Sequence, residues 1–115
     1  MVAAHIELGR FGEDLAAMWY RRRGYQVLDR NWRTSSGEID LVVRRGRLVV
    51  IAEVKTRRTD AFGVPALAVG PAKQQRLRRL AASWLAERRI RGRVDIRFDV
   101  VAITGDSVDV YEGAF

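Results

Sequence analysis

The chain has 115 residues, is 48% hydrophobic and carries a net charge of +7 at pH 7. That length suits one domain, residues 1–115, built on one core. It has no cysteine and a single histidine, His5, which excludes disulfide frameworks, thiolate zinc sites and any site needing two histidines.

A metal ion bound here must therefore use mostly oxygen ligands, which favours Mg²⁺ or Mn²⁺ over zinc. Met1-Val2-Ala3-Ala4-His5 lacks a charged segment leading into an apolar run, so no signal peptide is expected. No apolar run reaches membrane-spanning length. These features predict a cytoplasmic protein without a membrane partner. The positive charge suits a polyanion, nucleic acid first, although a bias toward arginine codons also explains it. Of the 21 basic residues only Lys55 and Lys73 are lysine. Where arginine is the default, a lysine hints at a need for a compact ammonium.

In chain order, residues 5–23 predict a helix, with Leu8, Phe11, Leu15, Met18 and Trp19 recurring every three or four positions. Arg21-Arg22-Arg23 suits a helix C-terminus, and Gly24 suits a left-handed cap. Glu13 lies off that stripe, on a side shared with Gly9 and Ala17. Tyr25-Gln26-Val27-Leu28 opens a first strand that continues irregularly to Arg33. Thr34-Ser35-Ser36-Gly37 reads as a loop. Residues 38–44 and 47–55 predict a hairpin, with Arg45-Gly46 as the tight turn. Residues 56–70 form a connection. Gly70-Pro71 starts a second helix running to about Arg89, with Leu77, Leu80, Ala81, Trp84 and Leu85 as its buried stripe. Asp95 to Ile103 is a fourth strand and Ser107 to Tyr111 a short fifth. The order is αβββαββ. Strands two and three are apolar on both faces, as in a sheet covered on both sides, so the expected fold is α/β with a helix on each face of a mixed sheet.

Three charges interrupt these core strands: Asp40, Glu53 and Lys55. Burying them is costly unless they pair or bind a metal. Strand alternation places Asp40 with Glu38, and Glu53 with Lys55. Whether the two sets meet depends on the turn. With Arg45-Gly46 as the two turn residues, 40 pairs with 51 and 38 with 53. A four-residue turn pairs 40 with 53. Either keeps Asp40 and Glu53 on one face, whereas a three-residue turn separates them. Two converging carboxylates repel, and a divalent metal or Lys55 compensates them. Such a metal can hold a phosphodiester oxygen and acidify a water, and Lys55 can stabilise the developing charge. A plain cross-strand ion pair is the bland alternative.

Glu53-Val54-Lys55 at a strand end, with Asp40 on the preceding strand, resembles the PD-(D/E)xK nuclease signature. Ile39 stands where that signature has proline. A closer resemblance is to the YraN family, small bacterial proteins similar in fold to archaeal Holliday-junction resolvases. It is carried by Gly9-Arg10-Phe11-Gly12-Glu13 with Ala16-Ala17, Arg30-Asn31-Trp32-Arg33, Gly37-Glu38-Ile39-Asp40-Leu41 and Glu53-Val54-Lys55-Thr56-Arg57. It continues through Phe62-Gly63-Val64-Pro65, Lys73 with Arg76-Leu77, and Arg97-Phe98-Asp99-Val100-Val101.

The resemblance implies a restriction-endonuclease-like fold and a nuclease-like site. Asp40 and Glu53 would be ligands for Mg²⁺ or Mn²⁺, Lys55 the catalytic lysine and Glu13 an accessory acid. Arg57 and Lys73 are candidates for phosphate contact, Lys73 because a helix N-terminal turn favours anions. The expected function is a metal-dependent endonuclease acting on DNA in preference to RNA, branched or damaged DNA included. By analogy with resolvases it would work as a homodimer. The alternatives are a non-catalytic nucleic-acid-binding or recruitment module on the same fold, and a structural subunit. Asp99 is expected to pair with an arginine. Trp19, Trp32, Trp84, Phe11 and Phe98 are expected in the core, and His5 at an exposed terminus.

Overall fold

Alternation along the central strands divides the apolar side chains into two sets, and each set meets one helix. The computed structural model describes residues 2–57 and 69–115, with side chains described for residues 11–56 and 69–115. The Phe62-Gly63-Val64-Pro65 segment and the side chains of His5, Leu8 and Arg57 lie outside the described residues. The elements are α1 (Val2–Arg22), β1 (Gln26–Thr34), β2 (Gly37–Arg45), β3 (Leu48–Arg57), α2 (Pro71–Glu87), β4 (Asp95–Thr104) and β5 (Ser107–Tyr111). They form one five-stranded sheet in the order β1-β2-β3-β4-β5. Only β3 and β4 are parallel, and α2 lies between them in sequence, as a parallel connection requires. The order and the mixed sheet agree with the expected α/β class.

Val42, Val49, Ile51, Phe98 and Val100 pack with Leu77, Leu80, Ala81 and Trp84 of α2. Leu41, Val43, Val50, Ala52, Val101 and Ile103 pack with Ala16, Ala17 and Tyr20 of α1. Each fully buried aliphatic side chain contributes ~1.5–3 kcal/mol, so the two layers hold the sheet from both sides. Among the described residues, no helix is long and apolar enough to cross a membrane.

Helix α1 is rolled relative to the sequence expectation. Phe11 is 48% exposed and Met18 41% exposed, so neither belongs to the core. The buried face is Gly12, Ala16, Ala17 and Tyr20. Large apolar residues set the expected stripe, but small ones let the helix approach the sheet. A Cβ on Gly12 would come within 2.2 Å of Thr56 Oγ1 on β3. The roll turns Glu13 toward the sheet, where its side chain is 17% exposed.

The hairpin turn also shifts by one residue. Arg45 pairs with Leu48, and the ladder runs to Leu41 with Ala52. Gly46 and Arg47 are therefore the turn residues, rather than Arg45 and Gly46. Gly46 has φ +60°, which the first central position of primed hairpin turns requires. The resulting register is the one that the four-residue alternative gave. One further step along it sets Asp40 opposite Glu53.

On the α1 side, Asp99 is fully buried. Its carboxylate accepts hydrogen bonds from Tyr20 Oη (2.6 Å), Arg97 Nε (2.8 Å), Arg97 Nη2 (3.0 Å) and the Gly113 backbone N–H (3.0 Å). Four donors fill the capacity of a carboxylate, so Asp99 is a structural tie and not a metal ligand. Burial and the Asp99 charge push the Tyr20 hydroxyl pKa up. The hydrogen bond to Asp99 raises that of Arg97.

The close α1–β3 approach makes a prediction. Gly12→Ala should lower the urea unfolding free energy by ~1–3 kcal/mol through overpacking, against the ~1 kcal/mol that helix propensity alone favours Ala. In a Thr56→Ala background the same change should be neutral or stabilising. Equal stabilisation in both backgrounds would contradict this packing.

Candidate metal and nucleic-acid site

The regular register of β2 with β3 stops at Leu41, one residue before Asp40, whereas pairing with β1 continues to Gly37. On the β1 side of Asp40, the residue opposite is Asn31, between the pairs Arg30↔Leu41 and Trp32↔Ile39. Asn31 has φ +51°, a conformation that asparagine tolerates better than most residues. On the β3 side, the Val54 N–H donates to Asp40 Oδ2 at 2.8 Å. A side chain thus supplies the acceptor at the point where the described β2–β3 register ends. Ile39 packs in the same layer as Val42, so face alternation fails at Ile39. Asp40 itself keeps the α2 face that alternation from Val42 gives it, the face it shares with Glu38 and Glu53.

Asp40, Glu38 and Glu53 line a groove of about 260 Å³, together with Gly37, Lys73, Arg76, Leu77 and Leu80. Burial and the neighbouring Glu53 charge push the Asp40 pKa up from 3.8 to about 7; Glu38 and Glu13 add smaller increments, and the Val54 hydrogen bond opposes them. Negative charge is therefore in excess around Asp40.

Glu53, with its side chain 13% exposed, is partly neutralised by Lys73 Nζ at 2.5 Å. The sequence makes Lys73 a candidate for phosphate contact. The structure places it on Glu53, in the first turn of α2 and lining the same groove. Lys55 lies two residues beyond Glu53 on β3, half-buried and paired in the ladder with Ala102. It shares the Glu53 face by alternation but does not line this groove. Arg57 ends β3, with its backbone opposite Thr104.

Glu13 approaches from the α1 side. Its Oε2 accepts from Asn31 Nδ2 at 2.6 Å, and Arg30 lies at 3.9 Å. Glu13 is thus not a lining residue of the groove, yet its charge reaches Asp40. The sequence reading missed Asn31 as its holder. The signal was available: an asparagine in the middle of an irregular strand favours a positive φ and carries an amide donor.

These donors fit a hard divalent cation chemically. The carboxylates are oxygen ligands, and the excess negative charge that raises Asp40 is what such an ion offsets. Among the described residues, no three His, Cys, Asp or Glu side chains are grouped closely enough to hold a metal ion. Mg²⁺ commonly takes one or two carboxylates and leaves its other positions to water and phosphate. Asp40 and Glu53 would be the residues to hold it.

The raised Asp40 pKa sets a pH dependence. Unfolded, Asp40 ionises near 3.8; folded, it keeps its proton to about 7. Its contribution therefore favours the folded state below about pH 4 and is lost as pH rises through about 7. Between about pH 5 and about pH 8 the chain should lose ~2–3 kcal/mol through this group. Asp40→Asn should remove that part of the slope and be more stable than the parent at about pH 8. Urea midpoints across this range test it, and identical slopes for both proteins would contradict it.

Comparison with known proteins gives a consistent family. A model described as "Uncharacterised protein family UPF0102" matches residues 12–103. A UPF0102 protein of Syntrophotalea carbinolica is 48% identical over 119 residues, covering 100% of this chain and 96% of the relative. One from Acidothermus cellulolyticus is 44% identical over 127 residues, covering 98% and 96%. One from Geobacter sulfurreducens is 50% identical over 99 residues, covering 84% and 75%. With the family model and near-full-length relatives in agreement, the chain belongs to the UPF0102 family.

Proposed function

We propose that this protein is a Mg²⁺- or Mn²⁺-dependent endonuclease that hydrolyses phosphodiester bonds in DNA, including branched or damaged DNA. The observation that carries the reading is Asp40. It is a half-buried carboxylate beside Glu53, pushed to about 7 by burial and like charge, in a groove rimmed by Lys73 and Arg76. A group poised in this way is typical of a functional centre. The likeness to the PD-(D/E)xK signature and to restriction-endonuclease-like folds supports the same assignment. So does the net charge of +7.

In this reading Asp40 and Glu53 would hold the cation, which would supply positive charge near the phosphate and acidify a water. Lys73, which neutralises Glu53 at 2.5 Å, would be the cation nearest to a phosphate bound in the groove. Lys55 stabilises charge developing on the phosphoryl oxygens. Glu13 with Asn31 fixes the negative field behind Asp40, and Arg57 extends the phosphate contacts. A DNA substrate fits a cytoplasmic location, and a two-fold junction would fit a homodimer.

One observation favours a second reading. Lys73 already neutralises Glu53 at 2.5 Å, an arrangement that a non-catalytic nucleic-acid-binding module could keep permanently.

Duplex, flap and four-way DNA incubated with each metal separate the two. The endonuclease reading predicts cleavage that EDTA abolishes. Asp40→Ala and Glu53→Ala should each lower the rate by ~10²-fold or more, and Lys55→Ala by ~10²–10³-fold. Binding that survives EDTA and Glu53→Ala, with no cutting by the wild type, would establish the module instead.

A further inference from the structure

Arg76, Arg78, Arg79 and Arg88, on and just after α2, fall into two groups. Arg78 stacks over the rings of Phe98 and Phe115, at 4.9 and 5.7 Å from their centroids. Arg88 pairs with Asp29. Arg76 and Arg79 are exposed, and among the described residues no salt bridge involves either. These two line a second groove of about 240 Å³ with Ser36, Leu80 and Ser83. Arg76 and Leu80 also line the Asp40–Glu53 groove, so the two grooves share a wall.

We infer that this second groove is a phosphate subsite, in which Arg76 and Arg79 hold the DNA strand beyond the Asp40–Glu53 site. The inference rests on the nucleic-acid reading above. Two guanidiniums offer forked donors suited to phosphate oxygens, and the Ser36 and Ser83 hydroxyls can donate beside them. Residues 76, 80 and 83 follow one stripe of the helix, with Arg79 at its margin. From Lys73 to Arg79 the helix rises about 9 Å, comparable to the axial rise of about two to three nucleotides in a duplex. The row of cations is therefore long enough to follow a backbone, not only to greet a single anion.

Local packing keeps this row aimed. Gly37 lies so close to α2 that a Cβ there would come within 3.3 Å of Arg76 Cδ and Leu80 Cδ1. The Arg76 stem is thus pressed against the β1–β2 turn that carries Ser36. Its guanidinium emerges between the two grooves. The sequence alone presents Arg76 and Arg79 as a solvated helix face, because nothing in it places Ser36 opposite them.

The test is binding of a fluorescent DNA duplex in EDTA, so that cleavage plays no part, over a range of salt concentrations. Arg76→Gln/Arg79→Gln keeps most of both aliphatic stems and should reduce the salt slope by about 2, one for each phosphate contact. Arg91→Gln/Arg93→Gln removes the same charge from the exposed loop after α2 and should leave the slope near that of the wild type. Circular dichroism of each variant checks that the fold is intact. A wild-type slope in the Arg76/Arg79 variant, with tight binding by the wild type, would overturn the subsite alone. An equal loss in both double variants would overturn it too, by showing that net charge rather than this groove holds the DNA. No DNA binding by the wild type would overturn the functional reading and this inference together.

Discussion

The hydrogen bond from the Val54 N–H to the Asp40 carboxylate stands at the place where two central strands stop pairing through their backbones. A backbone donor in a half-buried setting must find an acceptor, and here the acceptor is an acid. That constraint fixes Asp40 between the layers of α1 and α2. It also puts the acid within reach of three other carboxylates, Glu53, Glu38 and Glu13, each of which raises its pKa. The site's electrostatics follow from this one substitution of side chain for backbone.

The surrounding fold serves that position. Small residues on α1 let the helix close on β3, which carries Glu13 to the sheet, and Asn31 at positive φ turns an amide onto Glu13 instead of continuing the ladder. From the other side, Pro71 and Gly70 start α2 so that Lys73, its third residue, meets Glu53. Leu77, Leu80 and Trp84 lock α2 on the sheet. The buried Asp99, tied to Tyr20, Arg97 and Gly113, joins α1 to β4 and the C-terminal turn. Stability elements and site elements thus occupy the same strands without sharing carboxylates.

Much of this was readable from the sequence, and the failures have physical causes. Two-sided apolar strands identified a covered sheet, and Gly70-Pro71 and Gly24 marked helix ends within a residue or two. The pairing of Asp99 with an arginine was expected, and Arg97 is that arginine. Hydrophobic periodicity failed for α1 because it weighs large side chains, whereas close packing selected Gly12, Ala16 and Ala17. Phe11 and Met18 were thereby misplaced in the core. Strand parity left the register open, and the two-residue turn proved to be Gly46-Arg47. Lys73 could not be assigned to Glu53 from sequence, because that contact depends on how a helix packs across a sheet. Glu13 and Asn31 meet for the same reason.

The proposed function requires Asp40 and Glu53 to hold one divalent cation between them. Isothermal titration of the protein with Mn²⁺ at about pH 8, where Asp40 is ionised, tests it most directly. Saturable binding by the wild type is expected, with Asp40→Asn and Glu53→Gln each losing it, and Lys73→Ala binding at least as tightly because a competing cation is gone. Binding by Asp40→Asn with unchanged affinity, or no saturable heat from the wild type, would contradict it.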